Sequence, residues 1–389
     1  MASGGGAGAV PMRQVHAGSS GAIPAPAIVW ISNTDLFNKL QFGSNMMLVD
    51  LQKRECFDKY HVRSALNIDW NRALQFAEEN EDFSSPTAIL NHVSDIHDRR
   101  FRLRPYCEVI VYAGGDNSLP RADRASDDAA PAVAAAAAAC AVTGTSDDDD
   151  DDGAVMSSRE LVVSFAECLL SEKKITKDIL LVEGGIELIM DTRPYLVKGT
   201  DSFADVQFPN EIVEDFMYLG SFNAAANRQC IDLLGITHVL NATNACESVF
   251  QGELKYLQCE VEDDLLSDIE QYFEPALAFI EEAMSNDGSR ILIHCKMGMS
   301  RSAAFVILFL MKSRRMSLRK AYNFVKTIRP FVNPNPSFLK QLAVYETQLF
   351  GSSTIRFPDE PLTLGTLFEW LQDDGKTWVK RVVVSKASG

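Results

Sequence analysis

Along the chain, short apolar runs alternate with segments whose apolar residues recur every three to four positions. Met46–Leu51 (MMLVDL) and Cys107–Gly115 (CEVIVYAGG) are apolar runs stopped by charge or glycine, the pattern of buried strands. Ser64–Ile68 (SALNI) predicts a further strand, and Thr87–Arg99 between them has helical spacing. A helix over Arg159–Glu172 and a strand over Asp178–Gly185 (DILLVEGG) follow. Strands that alternate with helices imply a parallel or mixed sheet covered on both faces, so the expected fold class is α/β.

A second α/β period begins near Asp205. Phe216–Ala225, Ile236–Thr243, Leu254–Asp263 and Arg290–Cys295 read as strands, the third running into a loop. Asn227–Leu234, Ile269–Ala283, Ser302–Lys312, Leu318–Thr327 and Pro336–Phe350 read as helices. The expected layout is one α/β domain over residues 28–199, a second with a central sheet flanked by helices over 205–350, and a tail over 351–389. Within the tail, Thr366–Val384 reads as two strands around an Asp-Gly turn, a possible hairpin.

Two stretches lack this patterning. Residues 1–27 are rich in Gly, Ala, Ser and Pro, bury too little apolar surface to offset ordering entropy, and are expected to be disordered. Asp116–Met156 holds an alanine tract (Ala132–Ala139) and the run Asp147–Asp152, and is expected to be a solvated insertion interrupting the first domain. That run accounts for six of the excess acidic charges behind a formal net charge of −16. The remaining acidity disfavours nucleic-acid binding and docking on an anionic membrane. Eight cysteines contain no CxxC pair, which argues for reduced thiols and against a zinc site or a disulfide framework. No signal-like segment opens the chain, and Ala303–Met311 is too short to span a bilayer. Cytoplasm or nucleus is the expected location.

The chemistry concentrates in ILIHCKMGMSRSAAFVILFL. A strand ends at His294-Cys295, a six-residue turn follows, and an apolar helix begins at Ser302. The backbone N–H groups of Lys296, Met297, Gly298, Met299, Ser300 and Arg301 can curl around one anion at a helix N-terminus, where the helix dipole favours phosphate. The same field should depress the Cys295 pKa and make its thiolate a nucleophile toward phosphorus. Arg301 offers a planar fork for two phosphate oxygens and for charge developing in the transition state. Gly298 allows the tight turn. A plain buried cysteine at a strand end is the competing reading, and it leaves the GxSRS sequence unexplained.

His294-Cys295-Lys296-Met297-Gly298-Met299-Ser300-Arg301-Ser302 matches HCxxGxSRS, and with it the chain resembles dual-specificity phosphatases. The similarity runs through Ser302–Met311 and Ser317–Glu346 and back to Met217–Ser221, about residues 210–350. The resemblance implies a protein phosphatase acting on phosphotyrosine and phosphoserine/threonine through a phosphocysteine, with neither metal nor cofactor. It implies a general-acid aspartate on the loop after the strand upstream of the nucleophile, where Asp263 aligns and Asp264 is adjacent. A solvated helix start is the alternative for both. By the same resemblance Ser302 hydrogen-bonds the departing Cys295 sulfur, His294 shapes the loop, and Asn335 braces the site or simply turns the chain.

Residues 28–199 resemble a rhodanese-like domain in strand order and in the closing pair Gly184–Gly185. Rhodanese enzymes carry their cysteine on the loop after the strand that matches VIVY. That loop begins Ala113-Gly114-Gly115, and Cys107 precedes the strand, so a non-catalytic docking module is expected. A rhodanese-like domain in front looks like MAP kinase phosphatases, which makes a MAP kinase docking on that domain the first substrate. The Lys296-Met297-Gly298 wording instead looks like slingshot phosphatases of an actin regulator, and a lysine in that loop also occurs in phosphoinositide phosphatases. Arg99–Arg104 (RRFRLR) resembles a kinase-docking cluster, although the slot that docks kinases in the family reads Asp69-Trp70-Asn71-Arg72. An exposed helix end is its plainer reading.

Overall fold

The computed structural model describes residues 25–41, 46–79, 101–114, 157–198, 206–364, 366–372 and 375–382. The expected helix over Thr87–Arg99, most of the N-terminal stretch expected to be disordered and the insertion lie outside the described residues.

The first unit runs β1 (Ile28–Ile31), α1 (Asn33–Leu40), β2 (Met46–Asp50), α2 (Arg54–Lys59), β3 (His61–Val62), β4 (Leu66–Asn67) and α3 (Trp70–Glu79). It continues with β5 (Glu108–Tyr112), α4 (Ser158–Ser171), β6 (Ile179–Val182), α5 (Gly185–Thr192) and β7 (Val197–Lys198). Five parallel strands stand in the order β1-β6-β5-β2-β4, as the alternating pattern implies. Helix α1 starts at a reciprocal cap: the Ser32 hydroxyl accepts from the Asp35 N–H, and the Asp35 carboxylate accepts from the Ser32 N–H. The strand expected over Asp178–Gly185 ends at Val182, and Gly185 already opens α5. Gly184 before it adopts φ +72, which a side chain resists.

The second unit runs β8 (Asn210–Val213), β9 (Met217–Ser221), α6 (Phe222–Ala225), α7 (Arg228–Leu234), β10 (His238–Asn241) and β11 (Lys255–Gln258). Then come α8 (Phe273–Met284), β12 (Ile291–Cys295), α9 (Arg301–Ser313), α10 (Leu318–Ile328) and α11 (Pro336–Phe350). Its sheet order is β11-β10-β12-β9-β8, parallel except for β8 against β9. The strand expected over Phe216–Ala225 stops at Ser221, and Phe222–Ala225 folds instead into a helical turn ahead of α7. Helix α9 is buried from Arg301 through Met311, as a helix apolar on every side must be.

The tail forms an antiparallel sheet of β13 (Ile355–Arg356), β14 (Leu367–Leu371) and β15 (Trp378–Val382), one strand more than the expected hairpin. Trp370 of this sheet packs on Tyr322 of α10 with ring centroids 5.3 Å apart.

The two α/β units share apolar packing. Phe37 of α1 and Tyr195 meet Phe208, which leads into β8, at centroid distances of 5.9 and 5.0 Å. Beside them Arg193 of the first unit pairs with Glu211 of β8 at 2.5 Å, with side chains 7% and 0% exposed. Burial alone would lower the Arg193 pKa, and the Glu211 carboxylate beside it outweighs burial and raises it. Among the described residues no helix is long and apolar enough to cross a membrane.

Candidate active site

Cys295 ends β12, which lies between β10 and β9, so the thiol stands at the carboxyl edge of the sheet. Open α/β sheets gather ligands at that edge. The chain then turns through Lys296–Ser300 into α9. Gly298 takes φ +68 in the turn, and a Cβ there would lie 2.3 Å from the Gly220 carbonyl oxygen. Only glycine fits.

The first four carbonyls of the turn are held from outside. The Lys296 oxygen accepts from the Phe222 N–H at 3.3 Å and the Met299 oxygen from the Asn333 N–H at 2.8 Å. The Met297 and Gly298 oxygens accept from Arg329 at 3.1 and 2.8 Å. A planar trans peptide points its N–H opposite to its C=O, so pinning the carbonyls outward turns the N–H groups inward. Ser300, the residue before α9, offers no side-chain cap to the first turn of the helix. The orphan donors of that turn and the helix dipole therefore add to the anion cradle.

Cys295 Sγ accepts from the Gly298 N–H and the Ser302 hydroxyl, both at 3.2 Å. Burial by itself would push the thiol up. The Ser302 hydroxyl and N–H, the Arg301 charge and the Met299 N–H outweigh it, and Cys295 lies below the ordinary thiol range. His294 beside it is buried, which pushes it down to about 4 against a 3.4 Å contact to the Cys295 carbonyl. It is neutral at physiological pH and shapes the strand end.

Arg301 is buried. Its Nη1 donates to the Val261 carbonyl at 3.0 Å, and its Nε has no hydrogen-bond partner within the protein. Asp263 Oδ2 lies 4.0 Å from that Nε. Asp263 Oδ1 accepts from the Ser300 hydroxyl at 2.6 Å and from Asn335 Nδ2 at 3.1 Å. Asp264 turns away: its Oδ1 caps its own loop, accepting from the N–H groups of Leu266 and Ser267 at 2.9 and 2.7 Å. Those bonds, the Leu266 N–H first, hold Asp264 below the usual carboxylate range. Of the two neighbouring aspartates, Asp263 faces the cradle.

Asn335 does both things that had been separate alternatives. Its Oδ1 caps α11 through the Phe338 N–H at 3.0 Å, while its Nδ2 reaches Asp263 and, at 3.0 Å, the Asp264 carbonyl. Its own N–H donates to Ser300 Oγ at 3.1 Å, so Ser300 links α11 to the aspartate. The sequence marked Ser300 only as a backbone donor and left Arg329 and Asn333 unmarked. Both partners of each bond are 34–37 or 31–32 positions apart, beyond any local signal. Lys296 and Met297 carry their side chains outward, with Met297 52% exposed.

The basic cluster is arranged differently from a docking patch at Arg104. That side chain pairs with Glu172 at 2.7 Å, 12% and 1% exposed, and its guanidinium lies 4.5 Å over the buried Phe101 ring. Arg99 and Arg100 lie outside the described residues. Cys107 sits ahead of β5, packed against the core of the first unit.

A thiolate at the floor of a cradle of N–H donors, a guanidinium with a free Nε and a carboxyl group at the rim can hold a tetrahedral oxyanion and attack its central atom. Residues 217–348 match the family described as Dual specificity phosphatase, catalytic domain. The chain is 31% identical over 342 residues to a rhodanese domain-containing dual specificity protein phosphatase of Dictyostelium discoideum, covering 83% of this chain and 70% of that relative. It is 33% identical over 336 residues to Dual specificity protein phosphatase 4 of Rattus norvegicus, covering 80% and 75%. A crystal structure of human DUSP28 shares 33% identity and covers 36% of this chain and 95% of its own, with a TM-score of 0.34. Likeness to such relatives over four fifths of its length, with the catalytic-domain match inside it, places the chain in the family of dual specificity protein phosphatases that carry a rhodanese-like unit.

Proposed function

We propose that Cys295, Arg301, Asp263 and Ser302 carry the phosphatase reaction, and that residues 205–350 are the catalytic domain behind a rhodanese-like docking domain over 28–199. The single observation behind this reading is the convergence on Cys295 Sγ of the Gly298 N–H and the Ser302 hydroxyl, with Asp263 across the cradle from it. In the first step the thiolate forms an S–P bond and the P–O bond of the phosphoester breaks. Asp263, protonated, gives its proton to the leaving oxygen. Arg301 and the N–H groups of residues 296–301 bind the equatorial oxygens. In the second step Asp263, now a base, takes a proton from water, the water oxygen bonds phosphorus, and the S–P bond breaks. Ser302 donates to the sulfur as it regains its charge.

The substrate is a phosphoprotein, and we assign a MAP kinase that docks on the first unit. The support is the rhodanese-like unit ahead of the catalytic one. The Lys296-Met297-Gly298 wording favours an actin regulator as the second reading. Purified full-length enzyme assayed on phospho-MAP kinase, phospho-cofilin, a short-chain phosphoinositide and an aryl phosphate separates them. The assignment requires the highest kcat/KM on the MAP kinase, well above the aryl phosphate. A preference for phospho-cofilin or the phosphoinositide overturns it.

A further inference from the structure

One buried cation has no part in that reaction scheme. Arg329, just after α10, is 6% exposed. Its Nη2 donates to the Met297 carbonyl at 3.1 Å, its Nε to the Gly298 carbonyl at 2.8 Å, and its Nη1 to Asn210 Oδ1 at 2.6 Å. The Met297 carbonyl shares a peptide plane with the Gly298 N–H, which points at Cys295 Sγ at 3.2 Å. The Gly298 carbonyl shares a plane with the Met299 N–H, one of the groups that hold the Cys295 thiol below its ordinary range. One planar fork thus grips two successive peptide units from behind, and both aim their donors at the nucleophile.

The grip continues into the first unit. Asn210 Nδ2 donates to Asn38 Oδ1 at 3.3 Å. Asn38, on α1, pairs with the backbone of Glu211 through both ends of its amide, at 2.7 and 2.8 Å. Asn38, Asn210 and Arg329 are all buried. Their line runs from a helix of the rhodanese-like unit to the back of the phosphate cradle.

We propose that Arg329 is a positioning residue that aims the Gly298 and Met299 N–H groups at Cys295 and at the bound phosphoryl group, and that Asn210, itself held by Asn38 of the N-terminal unit, keeps it in place. The proposal rests on Cys295 being the nucleophile. A lysine cannot substitute, because a single ammonium lacks the rigid fork that spans two carbonyls and an amide. A side chain at position 298 would come within 2.8 Å of Arg329 Nη2, so turn and fork are packed as a pair. Burial pulls Arg329 down to about 10, the Cys295 thiolate resists that pull, and the guanidinium is a cation at neutral pH. The other charged or titratable groups around Cys295 are Arg301, Lys296, Cys246, Asp263 and His294.

The test uses the full chain with Arg329→Met, Arg329→Lys, Asn38→Ala and the Arg329→Met/Asn38→Ala pair. The readouts are the pH profile of Cys295 alkylation by iodoacetamide, kcat/KM on an aryl phosphate, inhibition by vanadate and the unfolding midpoint. Loss of two aimed donors should lower kcat/KM by ~10–100-fold in both Arg329 variants, weaken vanadate, and move the alkylation profile to higher pH. Asn38→Ala should show the same changes at ~2–5-fold, and the double variant should be no worse than Arg329→Met alone, since coupled sites do not add. If Arg329→Met fails to fold, Arg329→Lys and Asn38→Ala decide. Folded variants with the wild-type alkylation profile overturn the proposal, as does simple additivity in the double variant. Full turnover by Cys295→Ser would instead overturn the nucleophile assignment, so the two failures are distinguishable.

Discussion

Replacing Glu211 by Ala should destabilise the protein far more than an ordinary loss of one ion pair. Glu211 is 1% exposed, and its carboxylate meets Arg193 at 2.5 Å, the Tyr218 hydroxyl at 3.1 Å and the Asp215 N–H at 2.7 Å. Truncation leaves a buried guanidinium whose remaining partners are the hydroxyls of Thr34 and Tyr195, at 2.9 and 3.4 Å, and the Phe37 ring at 4.9 Å. Arg193 Nε already lacks a partner. Breaking such a pair from one side costs about 3–5 kcal/mol, most of it the burial of an uncompensated charge. Removing both charges with shape-matched apolar residues, as in Arg193→Met/Glu211→Leu, should recover most of that loss. Urea unfolding followed by circular dichroism measures both variants, read at the first transition because the units can separate. A cost below about 1 kcal/mol for Glu211→Ala, or a double variant as unstable as the single one, would refute the reasoning.

Cys295→Ser should abolish turnover while phosphosubstrate still binds, because the N–H cradle and Arg301 survive and a hydroxyl is not ionised; appreciable hydrolysis by that variant in a phosphate-release assay contradicts covalent catalysis. Asp263→Ala should slow cleavage of an alkyl phosphoester by ~10²–10⁴ and of an aryl phosphate with a good leaving group much less. If Asp264→Ala shows that signature in its place, the assignment of the acid is off by one residue. Ser302→Ala removes a donor at 3.2 Å from Sγ and so raises the Cys295 pKa. Less thiolate is then present at a given pH, and the acid limb of kcat/KM moves upward in a pH-rate profile. Burial pushes His294 down to about 4 in the folded chain, against an ordinary value of 6.5 when unfolded. The unfolded state therefore binds the proton first, and about 3 kcal/mol of stability is lost as pH falls from about 6.5 to about 4. His294→Asn should flatten that part of the pH dependence of unfolding.

The strand, turn and helix around Cys295 were legible because every determinant lies within a few residues: a buried run, a glycine at positive φ and an apolar helix. Pro336–Phe350 was legible to the residue, with Asn335 as cap and proline at the first helical position. Helices α1, α2 and α3 went unread because they are short and amphipathic, and short helices draw their stability from packing that periodicity does not report. The run at Phe216 was read four residues too long, since Phe222–Ala225 is apolar enough for either state and the sheet edge decides. The side-chain role of Ser300, and Arg329 and Asn210 altogether, went unread for another reason. Each acts through a bond to a residue more than thirty positions away, which no window along the chain contains.

The phosphate turn divides its own residues into two kinds. Gly298 and Ser300 are buried, and the carbonyls of residues 296–299 are all engaged by distant parts of the chain. Lys296 and Met297 lend the same turn only their backbones and leave their side chains in solvent. Evolution can therefore rewrite those two positions without touching the machinery that makes the thiolate. A substitution at either position alters the mouth of the site, where the flanks of a substrate arrive, and leaves the hydrogen bonds that shape the cradle in place.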